Sequence, residues 1–480
     1  MEQWSSRLGF ILAAIGAAVG LGNIWRFPAV VGQNGGGAYL VPYLIAAFAF
    51  AIPLLILEIS VGRSLKADVV TACRQVKAEY EILGWIIGGS VLAVLSYYLV
   101  ITGWVLAFFV FALVGAEVSF GAFTATNLPL LFFLTAGLIV GGIVSLGVND
   151  GIERMATVLI PMTFLILVLL GGYVTTLDGF GRGLRFFLTP DPTVLTDPFI
   201  WSAAFGQIFF SFSVGMGVLL TYGSYLPVDA KVSRSAIAIA LADLAVALLA
   251  GLVIFAIVFS FDLEPTSGSE LAFTTLPAGF EAMPFGTVVA IAFFGLLFFA
   301  AIAPSVSMIE VGVAGAMRAT GWTRRRASVT MTALVLLAGF PSALSYSAVE
   351  FSVLGRPFLD VVDSTVGTYA LPFGALAIVG VFVWAQDPAL VRKQIDGTLV
   401  LPLVKYVVPA VLIVVTGVRL VTGVSATAWH RLPDGLVVAP VAGFASTIAL
   451  GIVLGVIGFL VYRWHRGGGG PTAQQQSSRR

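Results

Sequence analysis

Apolar runs long enough to cross a bilayer recur along the whole of this sequence. A transmembrane helix needs about 20 consecutive apolar residues. The runs are continuous and do not alternate between apolar and polar residues, as the strands of a membrane barrel do. The sequence therefore predicts an all-α integral membrane protein with twelve transmembrane helices, here called spans 1–12, at 8–31, 38–61, 85–115, 128–146, 155–176, 198–226, 234–261, 286–316, 326–344, 359–384, 399–421 and 437–463.

Composition excludes several other classes of protein. Only 10% of the 480 residues are charged and the mean hydropathy is +1.03, whereas a soluble domain carries about 25% charged residues. A net charge of +1 provides no basic excess for nucleic acid. The single cysteine, Cys73, excludes an intramolecular disulfide. The lipid bilayer is the partner that this composition predicts, and it leaves the oligomeric state open.

The distribution of basic residues predicts the orientation of the chain. With the N-terminus in the cytoplasm, most of the 25 Lys and Arg residues fall on the inner side, as the positive-inside rule requires. We expect a multi-pass protein of the plasma membrane with both termini cytoplasmic. The outer loop at 262–285 carries acids and no Lys or Arg, and we expect its stretch 269–283 to form a surface helix.

Glycine clusters interrupt spans 1 and 6 at mid-depth, in 16–23 (GAAVGLGN) and 210–217 (FSFSVGMG). Each glycine weakens a helix by about 1 kcal/mol relative to alanine, and unwound backbone survives in a membrane only where it is buried or lines a cavity. The alternative is close helix packing through small residues. Polar Asn23 and Arg26 in span 1, and matching breaks at the start of spans 1–5 and 6–10, favour a midplane transporter site.

The motifs around these breaks resemble those of the neurotransmitter:sodium symporter family, in particular its prokaryotic amino-acid transporters. The resemblance implies a five-plus-five inverted repeat with discontinuous helices 1 and 6. It also implies alternating access, in which sodium entry drives amino-acid import. It covers spans 1–10, and spans 11 and 12 match only by count. The motifs lie at 4–10 (WSSRLGF), 18–28 (AVGLGNIWRFP), 34–38 (NGGGA), 42–43 (PY), 206–211 (GQIFFS), 221–225 (TYGSY) and 359–363 (LDVVD).

The same resemblance implies a division of the chain. An N-terminal segment and the first five-helix repeat occupy 1–176, and an extracellular loop with spans 6–10 occupies 177–397. Spans 11 and 12 occupy 398–466. The last residues, 467–480, are Gly, Gln, Ser and Arg without periodicity, and they predict a disordered tail.

The resemblance implies a substrate-binding pocket. Small Gly20 leaves room for a substrate carboxylate, which the Leu21 and Gly22 amides and the Tyr98 hydroxyl would bind. Because methionine fills irregular gaps, we expect a bulky apolar or aromatic amino acid, with ordinary helix packing by methionine as the alternative. Carbonyls of Ala18, Phe210, Ser211 and Ser213 would bind the ammonium, and the substrate side chain would contact Val94, Tyr98, Phe210, Ser213, Val214, Met216, Ser305 and Met308.

Two sodium sites follow from the resemblance. The first would use the Ala18 carbonyl and the side chains of Asn23, Ser211 and Asp243. An acid within the membrane is a functional candidate, the alternative being an acid that only forms hydrogen bonds. The second site would use carbonyls of Gly16, Val19 and Ala300, but the family's two hydroxyls fall at Ala303 and Pro304.

This departure predicts loss of the second sodium site, unless Ser305 or Ser307 compensates through a shift of the helix. Coupling to a single sodium ion, or to protons, therefore stands as an alternative to coupling to two sodium ions.

Chloride is expected not to be required. Relatives that need chloride bind it through residues that correspond to Tyr43, Gln207, Ser211 and, in place of a serine, Ala247. Asp243 lies one turn before Ala247 on the same helix face. We expect the Asp243 carboxylate to supply the negative charge that chloride supplies elsewhere. A further hypothesis is that Asp243 is protonated when the transporter returns without substrate, which would give proton antiport.

The resemblance implies an outer gate and an inner gate. Arg26 and Asp363 would form the outer salt bridge, with Asp360 nearby, because an Arg–carboxylate pair can lock bidentately when dehydrated. Trp4 and Tyr225 match the inner latch. The family's latch arginine and acid are replaced by Met1 and Arg318, and we expect the buried acids Glu58 and Glu310 to form structural pairs.

Other functions fit the sequence less well. A channel would need a continuous polar stripe or an acidic ring along its spans. An enzyme would need a nucleophile with its base, or a metal site. We see neither pattern and expect a transporter that is not an enzyme, whereas a non-transporting amino-acid sensor stays open.

Overall fold

The computed structural model describes residues 2–263, 271–353, 355–395 and 399–422. The predicted span 12 and the predicted tail at 467–480 lie outside these residues. The described chain is almost wholly helical. Its two short strands, Ser352–Val353 and Arg356–Pro357, pair as an antiparallel hairpin just before span 10.

Uninterrupted helices form spans 2–5 and 7–11. Spans 3 and 5 begin some seven residues before their apolar runs, because polar turns at 78–81 and 148–153 continue these helices beyond the hydrophobic segment. Within the described residues, nine uninterrupted helices are long and apolar enough to cross a membrane: Gly37–Leu65, Ala78–Val114, Leu128–Ser145, Val148–Val174, Val232–Ser260, Gly286–Thr320, Arg324–Ser345, Phe358–Trp384 and Val400–Gly417.

Span 1 is broken where the glycine cluster predicts. Its halves, span 1a (Arg7–Ala18) and span 1b (Gly22–Gln33), are bent by 52°. Between them, Val19 leaves the helix with an extended backbone. The predicted loss of regular helical structure is therefore confirmed for span 1.

Span 6 is broken at the corresponding place. Span 6a (Pro198–Phe212) and span 6b (Val218–Ser224) are separated by five residues, of which Ser213, Gly215 and Gly217 have positive φ. Glycine adopts positive φ without steric cost, so this glycine pattern permits the break. The predicted discontinuity of span 6 is confirmed.

Close backbone approaches place the broken span 6 at the centre of the protein. Span 6b packs along span 2. The two backbones approach so closely at Gly223 that a Cβ added there would lie 2.6 Å from the Ile59 carbonyl oxygen. At the break, a Cβ on Gly215 would collide with the Leu371 carbonyl of span 10. Span 1a contacts spans 5, 7 and 8. Both breaks are thus buried in protein rather than exposed to lipid.

The expected surface helix at 269–283 differs from its prediction. Residues 264–270 lie outside the described part, and helix is present over Leu271–Thr275 and Leu276–Glu281. Its aromatic side chains are buried against spans 3 and 8, with the Phe273 ring 5.0 Å from Phe108 and the Phe280 ring 5.2 Å from Phe293. The segment is therefore helical over a shorter range than expected and has a buried aromatic face, while Thr274, Ala278 and Glu281 remain exposed.

Candidate functional site

The two broken spans face each other and are joined by polar contacts. The Ser213 hydroxyl donates a hydrogen bond of 2.7 Å to the Ala17 carbonyl. The Gln207 side-chain amide donates one of 2.8 Å to the Gly22 carbonyl. Backbone groups released by the two breaks are therefore brought to one place at the middle of the bundle.

A cavity opens where the breaks meet. Nine of the predicted substrate-binding residues line it, and Pro304 joins them. The lining consists of Ala18, Gly20, Gly22, Val94, Tyr98, Phe210, Ser213, Met216, Pro304 and Met308.

Four predicted residues do not line the cavity. The Leu21 amide donates to the Tyr98 hydroxyl at 3.4 Å, and the Ser211 hydroxyl turns away to Asp243. Ser305 is bonded back to its own helix, at 2.9 Å from the Ala301 carbonyl. Val214 is fully buried in the core. Their placement corrects the expected lining for the side chains of Val214 and Ser305.

Position 20 leaves little room for a side chain. A Cβ there would lie 3.0 Å from Cγ of Pro304 and 3.2 Å from the Tyr98 hydroxyl oxygen. Contacts this short are tighter than ordinary van der Waals distances, so a larger residue would require Pro304 and Tyr98 to move by a few tenths of an ångström. The resemblance indicates that Gly20 must be small, whereas nothing in the sequence indicates that Pro304 lies beside it.

A fully buried polar cluster, here called the polar cluster, consists of Asn23, Ser211 and Asp243. Asn23 Nδ2 donates to Asp243 Oδ1 at 2.7 Å and to Ser211 Oγ at 2.9 Å. Ser211 Oγ donates to the other carboxylate oxygen at 2.8 Å. Asn23 Oδ1 accepts from the Gly20 amide at 3.0 Å. Three predicted sodium-binding side chains, far apart in sequence, therefore lie in direct contact.

Two further polar groups that the resemblance named are buried, Tyr43 and Gln207. The Tyr43 hydroxyl lies against Ser211, and Oε1 of Gln207 has no hydrogen-bond partner among the described residues. The amide nitrogen of Gln207 is already occupied by the Gly22 carbonyl. The acid that would supply negative charge here is Asp243, whose carboxylate is bonded to Asn23 and Ser211.

The region expected for a second sodium ion is apolar on its span 8 side. A Cβ on Gly16 would lie 3.2 Å from both the Ala303 methyl and Cδ1 of Ile160. The hydroxyl of Ser307 donates to its own helix, at 2.9 Å from the Ala303 carbonyl. Ser305 is bonded in the same way, at 2.9 Å from the Ala301 carbonyl. Donation to a carbonyl does not use the oxygen lone pairs of either serine, so compensation by Ser305 or Ser307 stays a hypothesis.

Pro304 has a further effect on span 8. It lacks an amide hydrogen, so it removes the helical hydrogen bond to the Ala300 carbonyl. The Ala300 carbonyl oxygen lies near the break in span 1, at 3.7 Å from where a Cβ added to Gly20 would stand. One carbonyl of the expected second site therefore remains available, without a hydroxyl partner.

The expected outer gate is not closed in this conformation. The Arg26 guanidinium lies 4.6 Å above the centre of the Phe210 ring. Among the ion pairs of the described residues there is none between Arg26 and Asp363, so their pairing stays a prediction for another conformation. Asp360 accepts hydrogen bonds of 3.0 and 3.2 Å from the Tyr346 hydroxyl.

The opposite side of the molecule, here called the N-terminal face because residues 2–6 lie on it, is closed. The Trp4 indole donates to the Tyr222 carbonyl at 3.0 Å. The Tyr225 hydroxyl donates to Glu310 at 2.6 Å, and Glu310 is ion-paired with Arg324 at 2.8 Å. The N-terminal face is therefore held by hydrogen bonds and an ion pair, whereas the Arg26–Asp363 pair is not formed.

Glu58 supports the break in span 6. It is fully buried, and its Oε1 accepts a 2.7 Å hydrogen bond from the Gly215 amide. That amide lies in the unwound segment and has no helical acceptor. The expected structural role of Glu58 is therefore the satisfaction of a backbone donor rather than an ion pair.

Comparison with known proteins decides the family. A family model described as the sodium:neurotransmitter symporter family matches residues 1–119 and 116–457. The chain belongs to the sodium:neurotransmitter symporter family. This is a family of membrane transporters rather than of enzymes, and it makes the protein a sodium-dependent, multi-pass membrane transporter.

Several relatives agree with this assignment. A sodium-dependent transporter of Bacillus subtilis, YhdH, is 38% identical over 392 residues, which cover 78% of this chain and 86% of the relative. A sodium-dependent transporter of Methanocaldococcus jannaschii is 32% identical, over 82% of this chain and 84% of the relative. The crystal structure of MhsT in complex with L-phenylalanine matches with a TM-score of 0.79 and 36% identity, covering 86% of this chain and 99% of that one.

Proposed function

We propose that this symporter couples sodium entry to the import of an amino acid by alternating access. The observation that carries the proposal is the junction of the two broken spans, where a cavity adjoins the polar cluster. Free amides and half-helix N-termini favour a carboxylate, and free carbonyls favour cations. A zwitterion beside a sodium ion matches both kinds of group.

We propose a bulky apolar or aromatic amino acid as the substrate. The side-chain end of the cavity is lined by Val94, Met216, Met308 and the ring of Pro304. Methionine sulfur makes favourable contacts with aromatic rings and adapts to different shapes. The phenylalanine bound to the related MhsT supports this choice.

Uptake into proteoliposomes tests the proposal. An inward sodium gradient should drive accumulation of labelled phenylalanine, leucine or tryptophan, and the same vesicles in potassium should not accumulate them. Glycine should compete poorly. Binding without accumulation would indicate a sensor, and competition in which glycine outperforms the large amino acids would contradict the proposed substrate class.

We propose that one sodium ion binds at the polar cluster together with the Ala18 carbonyl and the substrate carboxylate. Carboxylate, amide and carbonyl oxygens suit a hard cation. Asp243 then provides the fixed negative charge, and transport does not require chloride. Replacement of chloride by gluconate should leave uptake unchanged, and a loss of uptake would contradict the chloride part of the proposal.

Coupling to a single sodium ion, or partly to protons, is the second candidate. The Ala303 methyl and Cδ1 of Ile160 both lie close to Gly16, which favours this candidate, because a cation there would meet methyl groups instead of hydroxyl oxygens. The dependence of uptake on sodium concentration should give a Hill slope near one. A slope near two would favour the two-sodium mechanism.

We also propose the two five-helix repeats at 1–176 and 177–397, and a plasma-membrane orientation in which the N-terminal face is cytoplasmic. The basic residues that cluster near this face support the orientation. The variant Arg7→Cys places a cysteine at an exposed position of this face. Labelling of that cysteine from one side of sealed vesicles tests the orientation directly.

A further inference from the structure

We propose that two arginines at the turn between spans 8 and 9, Arg318 and Arg324, act as a clamp that holds spans 1 and 2 against span 8 and keeps the N-terminal face closed. Each arginine binds an acid and crosses to a different span. The inference rests on the proposed alternating access, because a clamp has a function only if this face opens during transport.

Arg324 links span 9 to the beginning of the chain. It is the first residue of Arg324–Ser345, and its side chain is only 12% exposed. Its two terminal nitrogens form a bidentate pair with Glu310 at 2.8 and 2.9 Å. One of them also pairs with Glu2. An arginine fork held by one buried acid is thus positioned to bind a second acid from a separate segment.

Glu2 begins a short segment that leads into span 1a. Three residues further on, the Ser5 amide donates to Glu153 at 2.8 Å. Between them, the Trp4 indole is bonded to span 6b and buried. Separation of span 1a from spans 8 and 9 therefore requires the Glu2–Arg324 pair to break.

Arg318 holds the end of span 2 in a similar way. It lies in the last turn of span 8, and its Nε is 3.3 Å from Oδ2 of buried Asp68. Its Nη2 donates to the Lys66 carbonyl at 2.7 Å. Lys66 ends span 2 in the left-handed conformation, and Asp68 accepts from the Val70 amide at 3.0 Å to cap the next helix. Arg318 thus binds both residues that define the exit of span 2.

The positive and negative charges are arranged in the same way in the two contacts. In both, the arginine belongs to the turn between spans 8 and 9, and the acid belongs to the part of the chain that carries span 1 or span 2. The resemblance placed the inner latch at positions 1 and 318, which hold Met1 and Arg318. The clamp explains how an arginine at position 318 can still favour closure, because its acidic partner is Asp68 in the loop after span 2.

Distance measurements between spin labels test the clamp without any substrate. Labels at Arg7→Cys and Leu146→Cys, both exposed, report the separation of span 1a from span 4. Native Cys73 is buried, and burial raises the pKa of its thiol to about 12, so it does not compete for the label. The variants are E2Q and R318Q, alone and together, without sodium and with it.

Each variant should raise the ratio of open to closed molecules about twofold to fivefold in the absence of sodium, since a partly exposed pair is a modest interaction. The double variant should exceed either single one. Matched controls are D150N and R325Q, which remove exposed charges that form no ion pair in the described chain. E2Q leaves the Arg324–Glu310 pair intact, so the variant retains its buried acid partner.

Distances in E2Q and R318Q that equal those of the wild type and of both controls would overturn the clamp. A change of distance in only one of the two variants would contradict a clamp made of both arginines. It would leave a closing role only for the contact that this variant removes. Because the measurement needs neither amino acid nor uptake, its result is separate from the transport proposal. Failure of sodium-driven uptake alongside the expected distance shift would reject the transport function and leave the clamp in place.

Discussion

The two regions expected to bind cations lie on opposite sides of the same break in span 1, and they differ in chemistry. One side holds Asn23, Ser211 and Asp243 in contact through hydrogen bonds of 2.7 to 2.9 Å. The other side meets the Ala303 methyl and the Pro304 ring. A buried carboxylate is costly unless a counter-ion or hydrogen bonds compensate its desolvation, so the comparison favours the polar cluster as the proposed place of ion coupling.

The largest expected effect comes from D243N. The substitution preserves the shape of the side chain and removes its charge, so a sodium ion at the polar cluster loses its only anionic protein ligand. We expect sodium affinity to fall at least thirtyfold, or about 2 kcal/mol, measured as the sodium concentration for half-maximal uptake.

Chloride provides the matched control for D243N. If the carboxylate replaces chloride, added chloride should stimulate the D243N variant and leave the wild type unchanged. Unaltered sodium affinity in D243N would remove the distinction between the two regions.

A smaller effect is expected for S211A. Its hydroxyl donates to Asp243 Oδ2 at 2.8 Å, and its loss leaves the carboxylate one donor short. A net loss of about 1 kcal/mol corresponds to about fivefold weaker sodium binding. S307A is a suitable control, since that hydroxyl contacts Tyr222 and its own helix, away from the polar cluster. Equal effects of the two substitutions would argue against a specific role for Ser211.

The apolar side can be tested with the double variant A303T/P304S, which introduces hydroxyl groups at the two positions where the family has them. Two oxygens would then stand beside the Gly16 and Val19 carbonyls, and the helical amide at 304 would return. We expect the Hill slope for sodium to rise from near one to near two, about a twofold change. The single variant S305A should leave the slope unchanged. A slope near two already in the wild type would show that this region binds sodium as it stands.

The smallest effect is expected for Y43F. The buried Tyr43 hydroxyl lies against Ser211 but is not a proposed sodium ligand, so its removal should change uptake less than twofold, or by about 0.5 kcal/mol. Uptake measured in chloride and in gluconate should be equally insensitive. A large loss confined to chloride buffer would indicate that an anion does bind beside Tyr43.

Much of the fold was accessible from local patterns. Apolar runs predicted the nine uninterrupted spans and the bent span 1 of the described residues, because a membrane helix satisfies its own backbone and needs only hydrophobic length. Glycine clusters predicted both breaks, and in span 6 the reason is local, because Gly215 and Gly217 adopt positive φ. The burial of the aromatic face of the segment at 271–281 was not predictable locally, because it depends on phenylalanines of spans 3 and 8.

The candidate site was predictable only in part. Resemblance of motifs named most residues of the cavity, but it included Val214 and Ser305 and omitted the wall formed by Pro304. Hydroxyl direction is decided by competition between a distant partner and the carbonyl four residues earlier, as Ser305 shows. The pairing of Arg318 with Asp68 likewise has no signal along the chain, since the two residues lie on separate segments.

The sequence by itself determined that this chain crosses a membrane many times, where its helices run and where two of them break, since hydropathy and glycine act over a few neighbouring residues. Only the tertiary structure decided that Asn23 meets Asp243, that Ala303 fills the other side of the break and that two arginines hold the N-terminal face. Those contacts join residues far apart in the chain, and the packing of whole helices selects them.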